Sequence, residues 1–277
     1  TCYINATLQC FITMISFWSN LSFGNNNLSP FVSSFTRLMS MLRTCRAPID
    51  PSHFLRQLQN LLIRSGKANF DLFQQQDAAE IMGYILEELF MQSALSQEMV
   101  NVSIKNTFTC HACSENIINE DISSVLSLPT RSSIQAALTN ILNSEDILSS
   151  DSFYCNVCSS YRPATIDHEV VSCGKYLIIQ LNRFINIEGN ITKDIQKVHC
   201  NPIITLPVVS GEIILNRKFK LITTMNHSGN LNRGHYTSFI KKPNSPDWYF
   251  CNDAAVIPCK ELNEISNFCY VCFYEAM

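Results

Sequence analysis

Two Cys-x-x-Cys pairs, Cys110/Cys113 and Cys155/Cys158, constrain this 277-residue chain more than any other feature of it. Two residues between cysteines let one tight turn present both sulfurs to a single ion, and a second such turn completes a tetrahedral four-sulfur site. About 41 residues lie between the pairs, against about 15–20 in a compact zinc ribbon. The knuckles are therefore expected to cap two separate hairpins brought side by side. The intervening residues, including a helix around Ile134, would belong to another part of the fold. Four protein sulfurs leave no open position for water, so the expected cofactor is one structural zinc ion. The alternative is four unbound thiols. His111, inside the first knuckle, has no matching partner and reads as a bystander. Cys269-x-x-Cys272 repeats the spacing but lies in a strand-like apolar run, where residues three apart face opposite sides of a sheet. It reads as packing.

The other nine of the 13 cysteines are scattered, several of them in apolar runs. That pattern suits thiols and a metal site in a reducing compartment, cytoplasmic or nuclear, rather than a disulfide scaffold. With 46% apolar and 16% charged residues, a sizeable core can be buried and the composition argues against disorder. A net charge of −3 without a basic stripe argues against a nucleic-acid partner. No apolar run approaches the roughly 18 residues that span a bilayer, and the start does not have the form of a signal peptide. A chain that opens on Thr1 reads as a piece of a longer protein.

Periodicity divides the chain. Ile4, Leu8, Phe11, Ile12 and Ile15 lie on one face of a helix that begins at or near Cys2, with Thr1 as an acceptable N-cap. GNNNLSP, from Gly24 to Pro30, reads as a loop. A second helix follows Pro51-Ser52, with Phe54, Leu58, Leu61 and Leu62 on one side. In FQQQDAAEIMGYILEELF, Asp77 and Glu80 have the form of a capping box. From about Asn101 the texture turns β-like around the knuckles. After a helix marked by Ile134, Leu138, Ile141 and Leu142 come the strand-like runs YLIIQLNRF, FKLITTM, HYTSFIKK, WYFC and CYVCFYEA. Helices first and strands later predict an α+β fold.

Cys2 sits where a helix would begin, and free N–H groups with the helix dipole favour a thiolate at such a position. A nucleophilic thiol needs a base, most often histidine, and a third polar group to hold its ring. The stretch NHSGNLNRGHYTSFIKKPNSPDWYFCNDAAV supplies His235 at a strand start and, one hairpin later, Asn252 and Asp253. Neighbouring antiparallel strands can set an amide or carboxylate beside the imidazole. A structural cysteine and a satisfied histidine remain the alternatives at this level.

Taken together, these segments resemble the ubiquitin-specific proteases, papain-like cysteine deubiquitinases. TCYINATLQCF is similar to their cysteine box and QQDAAEIMGYIL to their Gln-Asp box. The two knuckles followed by YLIIQLNRF match their zinc-bearing fingers and the strand after them. GHYTSFI with WYFCNDAAV resembles their histidine box, and FCYVCFYEA resembles their closing strand. The resemblance covers nearly the whole chain in order. It implies a papain-like fold with a helical thumb (about 1–100), zinc-bearing β fingers (about 101–125 and 150–172) and a β-rich palm (about 126–149 and 173–277).

The resemblance also implies roles. Cys2 is the nucleophile, His235 its base and Asn252 the third member, with Asp253 able to assist or substitute. Asp77 and Glu80 meet arginines in the ubiquitin tail, and Tyr236 lines the tail channel. Gly234 leaves space beside that channel for a Gly-Gly end. Cys110, Cys113, Cys155 and Cys158 hold the zinc. The expected partners are ubiquitin and ubiquitinated proteins, and the enzyme is expected to be a monomer. The family's oxyanion Asn or Asp lies upstream of the Thr-Cys pair. Losing one such donor costs about 10²–10³ in rate, so the chain by itself is expected to be slow. A catalytically silent ubiquitin-binding module, and a protease for a ubiquitin-like modifier, are the alternatives.

Overall fold

The computed structural model describes all residues except 22–26, 46, 68–69, 149–152, 188, 231–232, 243–244 and 260–268. The first third is helical: α1 (Cys2–Thr13), α2 (Ile15–Asn20), α3 (Pro30–Thr44), α4 (Ser52–Arg64), α5 (Ala78–Gln92) and α6 (Ala94–Glu98). The starts carry local signals. The Ser29 hydroxyl accepts from Val32 N–H ahead of Pro30, and Asp77 accepts from Ala79 N–H at 2.7 Å. Only that half of the expected capping box is seen, because Glu80 instead accepts from the Tyr84 hydroxyl at 2.8 Å. Thr1 precedes α1 without a side-chain cap. Ile15, grouped in sequence with the first helix, opens α2 instead, since Met14 leaves helical geometry (φ −86°, ψ 61°).

The strands form two main sheets. β1 (Val102–Cys110), β2 (Asn116–Ser123), β4 (Glu145–Ile147) and β7 (Ala164–Cys173) make a four-stranded sheet in the order β2-β1-β7-β4. β4 thus edges this finger-like sheet, although the sequence reading groups its residues with the palm. Next to it stands the short hairpin of β5 (Tyr154–Cys155) and β6 (Ser160–Tyr161).

The larger sheet contains β3 (Leu126–Leu128), β8 (Tyr176–Leu181), β11 (Ile203–Ser210), β12 (Ile213–Gly229), β13 (Gly234–Lys241), β14 (Trp248–Asn252), β15 (Ala255–Cys259) and β16 (Cys269–Ala276). Its order is β15-β14-β13-β12-β16-β8-β3, with β11 also on β12, and only the β3–β8 pairing is parallel. A separate hairpin pairs β9 (Phe184–Ile187) with β10 (Asn190–Lys193). Among the described residues no helix is long and apolar enough to cross a membrane.

Both faces of the large sheet are buried, which explains its long apolar strands. One face packs on the helices through Tyr3, Phe11, Ile85, Met225, Tyr236 and Phe273. The other packs on α7 (Ile134–Ile141) and β11 through Ile134, Leu138, Leu177, Ile179 and Leu206. The Ile134 helix inserted between the knuckles therefore belongs to the large sheet. α1 lies between helical lobe and sheet, so Tyr3, Ala6, Thr7 and Cys10 are buried along with Ile4, Leu8 and Phe11 of its predicted face, while Ile12 is half-buried. A helix wrapped on both sides keeps only a narrow polar stripe, here the half-buried Asn5, Gln9 and Thr13. The Tyr3 hydroxyl donates to Leu72 O at 3.0 Å, and Thr223 Oγ1 lies 3.6 Å from Cys10 Sγ, fastening α1 to either side.

Candidate active site and metal centre

Cys2 is the first residue of α1 and is half-buried. The first N–H groups of a helix have no partner within it, so α1 aims unpaired donors at its own amino end. One turn along, Asn5 Nδ2 donates to the backbone carbonyl of Asp253 at 2.9 Å. This bond ties the start of α1 to the tight turn between β14 and β15, where Asp253 has a positive φ of 48°. Aspartate tolerates that region through its short polar side chain. Just before it, Asn252 ends β14 with Oδ1 at 2.7 Å from His235 Nε2. An amide oxygen only accepts, so Nε2 carries the proton, and in the neutral ring Nδ1 is the free base. Asp253 Oδ2 stands farther from Nε2, at 4.0 Å.

Sequence reasoning missed a contact that joins the strand of His235 to the helical lobe. Gln75, just before α5, accepts from Gly234 N–H at 3.0 Å and so holds the start of β13 against the helical lobe. Gly234 has no room for a side chain. A Cβ there would lie 2.0 Å from His227 Nε2. His227 is 1% exposed, and its ring centroid is 4.5 Å from that of Tyr236. Tyr236 is itself buried, at the seam between sheet and helices. The sequence showed two histidines in NHSGNLNRGHY, and nothing local separates the buried one from the half-exposed one.

Burial holds the His227 ring neutral, lowering its pKa to about 4, with the charges of Lys193 and His235 acting in the same direction. An imidazole whose folded pKa lies below its unfolded value near 6.5 contributes stability above pH 6.5, lost as pH falls toward 4. The expected loss is about 3 kcal/mol over that window. Denaturant titrations at several pH values should show His227→Gln with a flatter profile between pH 7 and 4.5 than the parent.

The acidic pair separates. Asp77 is half-buried and accepts from both Ala79 N–H and the Tyr270 hydroxyl, the latter at 2.8 Å, whereas Glu80 is exposed. Tyr270 reaches Asp77 because β16 bulges there. Met225 pairs with Val271 but Asn226 pairs with Cys269, leaving Tyr270 as the extra residue. A bulge resets side-chain alternation. Tyr270, Val271 and Phe273 consequently face the helices, while Cys269 and Cys272 share the opposite face. This corrects the reading that Cys269 and Cys272 point to opposite sides.

Cys110, Cys113, Cys155 and Cys158 converge, with all four sulfurs within 4.8 Å of one another and Cys113 Sγ 3.5 Å from Cys155 Sγ. The first knuckle turns from β1 to β2 and the second from β5 to β6. Ser114 and Ser159, each directly after its pair, adopt positive φ of 59° and 52°. Backbone N–H groups of Ala112 and Cys113 point at Cys110 sulfur, and Cys158 N–H at Cys155 sulfur. Four sulfurs with N–H donors folded around them fit a tetrahedral thiophilic ion. His111 bonds instead to Thr165 Oγ1 at 2.8 Å.

A family model described as ubiquitin carboxyl-terminal hydrolase matches residues 1–274. Two human proteins, ubiquitin carboxyl-terminal hydrolase 17-like proteins 10 and 12, are 24% and 25% identical over 99% of this chain. The chain spans 54% of the length of each. Among solved structures, the SAGA Ubp8/Sgf11/Sus1/Sgf73 DUB module bound to ubiquitin aldehyde superposes with a TM-score of 0.80 at 20% identity. That match covers all of this chain and 68% of the other. A variant form of the same module bound to monoubiquitin gives 0.78, also at 20% identity, covering all of this chain and 67% of the other.

Proposed function

Because the chain belongs to the ubiquitin carboxyl-terminal hydrolase family, we propose that it is a cysteine-type deubiquitinase that hydrolyses the isopeptide bond after the terminal glycine of ubiquitin. The observation that carries this reading is the 2.7 Å His235–Asn252 contact beside the amino end of α1. It is the arrangement a cysteine nucleophile requires: a base of defined tautomer, held on a rigid strand next to a helix start. His235 Nδ1 takes the thiol proton, and the Cys2 thiolate attacks the glycine carbonyl. The backbone N–H of Cys2, unpaired within α1, supports the developing oxyanion. His235 then passes its proton to the departing lysine amine, and a water deprotonated by the same ring frees the ubiquitin carboxylate from the thioester. Throughout, Asn252 keeps Nε2 protonated, and Asp253 stabilises the imidazolium from the turn.

On the tail side, exposed Glu80 and half-buried Asp77 pair with arginines of the ubiquitin tail, while buried Tyr236 gives the channel its floor. The His227 ring under Gly234 supports this wall of the channel. Cys110, Cys113, Cys155 and Cys158 hold one zinc ion whose role is structural, since the four sulfurs close its coordination sphere. Ubiquitin and ubiquitinated proteins are the partners, and the enzyme acts as a monomer in the cytoplasm or nucleus.

The test is release of a fluorophore from the carboxyl terminus of ubiquitin by the full-length protein and by this chain, beside matched conjugates of ubiquitin-like modifiers. Turnover of the ubiquitin conjugate is expected. Ubiquitin binding without turnover in the full-length protein overturns the reading in favour of a silent binding module. Preferential turnover of another modifier overturns the substrate assignment.

A further inference from the structure

The bulge in β16 gathers a second set of sulfurs at the far side of the large sheet. Cys269 Sγ and Cys272 Sγ lie 3.0 Å apart, Cys200 Sγ is 3.7 Å from Cys272 Sγ, and all three fall within 4.8 Å of one another. They are 0%, 0% and 3% exposed. These spacings match those of the four-sulfur corner at the knuckles, where Cys113 and Cys155 stand 3.5 Å apart. Among the described residues no fourth ligand atom lies with them.

A second observation concerns charge. Arg183 is 1% exposed and forms no ion pair among the described residues. Its Nε donates to the Cys269 carbonyl at 2.6 Å, its Nη1 donates to the carbonyls of Asp194 and Gln196, and its Nη2 has no partner among the described residues. Its charge reaches both Cys200 and Cys269. It also reaches the Asp194 carboxylate, but that group is bonded to Thr130 rather than to the guanidinium. A buried cation is costly unless an anion compensates it, and the carbonyls in direct contact supply only dipoles. Three thiolates around a monovalent or divalent ion carry a net negative charge, and that charge would sit beside the guanidinium.

We infer that Cys200, Cys269 and Cys272 form a second metal centre, distinct from the four-cysteine corner, that takes one thiophilic d10 ion of the Zn²⁺ or Cu⁺ class. Three thiolates suit a soft ion, with the coordination number matching Cu⁺ and the charge balance matching Zn²⁺. Each sulfur binds as thiolate, so binding releases the thiol protons and needs no oxidant. Because the site lies between β16 and α7 with almost no exposure, the ion enters as the large sheet folds. The centre clamps the segment before β11 to β16, a strand that contacts both cores.

The experiment is metal counting by native mass spectrometry and elemental analysis on the chain folded in zinc-replete medium, and separately in copper-replete medium. Two ions per chain are expected in one or both media. One ion should remain in the knuckle variant Cys110→Ser/Cys113→Ser, and one should be lost in Cys272→Ser. The identity of the ion that survives in the knuckle variant distinguishes zinc from copper. One ion in the parent with none in the knuckle variant overturns the inference, even if Cys272→Ser fails to fold. So does a disulfide among these three cysteines, detected by alkylation in denaturant without reductant. Neither readout depends on ubiquitin hydrolysis, so the deubiquitinase reading stands or falls separately.

Discussion

Replacing Cys2 by alanine should lower ubiquitin-conjugate hydrolysis by at least about 10⁴-fold, the scale at which removal of a triad nucleophile acts. Ubiquitin binding and thermal stability should change little, because the side chain is half-buried and the rest of α1 is held by Tyr3, Thr7 and Phe11. A ubiquitin probe with a terminal electrophile should label the parent at Cys2 and leave the variant unmodified. Two other thiols provide the control. Burial pushes Cys10 up to about 12 and Cys251 up to about 11, so both stay protonated at neutral pH.

His235→Ala should be about as damaging as the nucleophile variant, since groups that act as a unit are not additive. Asn252→Ala should cost less, about 10²-fold in kcat with KM nearly unchanged, because Asp253 at 4.0 Å can still orient the ring. The double variant Asn252→Ala/Asp253→Ala should approach His235→Ala. Probe labelling that persists in Cys2→Ala would refute the nucleophile assignment. A double variant no worse than Asn252→Ala would remove Asp253 from the mechanism.

The second large effect is expected at the knuckles. If the four cysteines hold the proposed ion, Cys155→Ser should release it and unfold the tip of the finger sheet. Among the described residues the apolar cluster at that corner has Cys110, Phe153, Cys155 and Ala164 as its buried members, so two of the four are proposed ligands. Phe108 stacks on Phe153 with ring centroids 5.8 Å apart, which is one pair against the entropy of ordering two turns. Structural zinc in small fingers contributes about 10–16 kcal/mol, comparable to or larger than the whole net stability of a domain, about 5–15 kcal/mol. Hydrogen exchange should show protection lost over β5, β6 and the knuckle ends of β1 and β2, with α1 to α5 still protected. Uniform loss, or none, would contradict a local structural role for this metal.

Much of this was legible from residue order. The four-cysteine corner needed only two spacings, because a Cys-x-x-Cys turn fixes two sulfurs through local geometry whatever the rest of the chain does. The helical lobe was legible from 3.6-residue periodicity, and the strands from aromatic and β-branched runs. The proposed nucleophile and base were picked out through motifs. The packing of α1 on β13, which brings the elements carrying Cys2 and His235 together, was not, because the two are separated by most of the chain. Gln75 and Asn5 were missed for the same reason. Each is an ordinary amide in sequence, and each matters through one hydrogen bond to a residue far along the chain, Gly234 or Asp253.

The sequence by itself determined what is local: the α-then-β order, the four knuckle cysteines and the residue types of the candidate site. It also determined family membership, through several short boxes in a set order. Tertiary structure alone decided that His227, one strand over from His235, is buried neutral under Gly234, since nothing in its local sequence marks it for burial. It also decided the fate of the third Cys-x-x-Cys. Regular alternation would separate those two sulfurs, and one bulged residue, Tyr270, reverses the outcome by drawing its hydroxyl to Asp77. A bulge is set by what a strand pairs with and packs against, and that information is spread over β12, α5 and β16 rather than carried by any one of them.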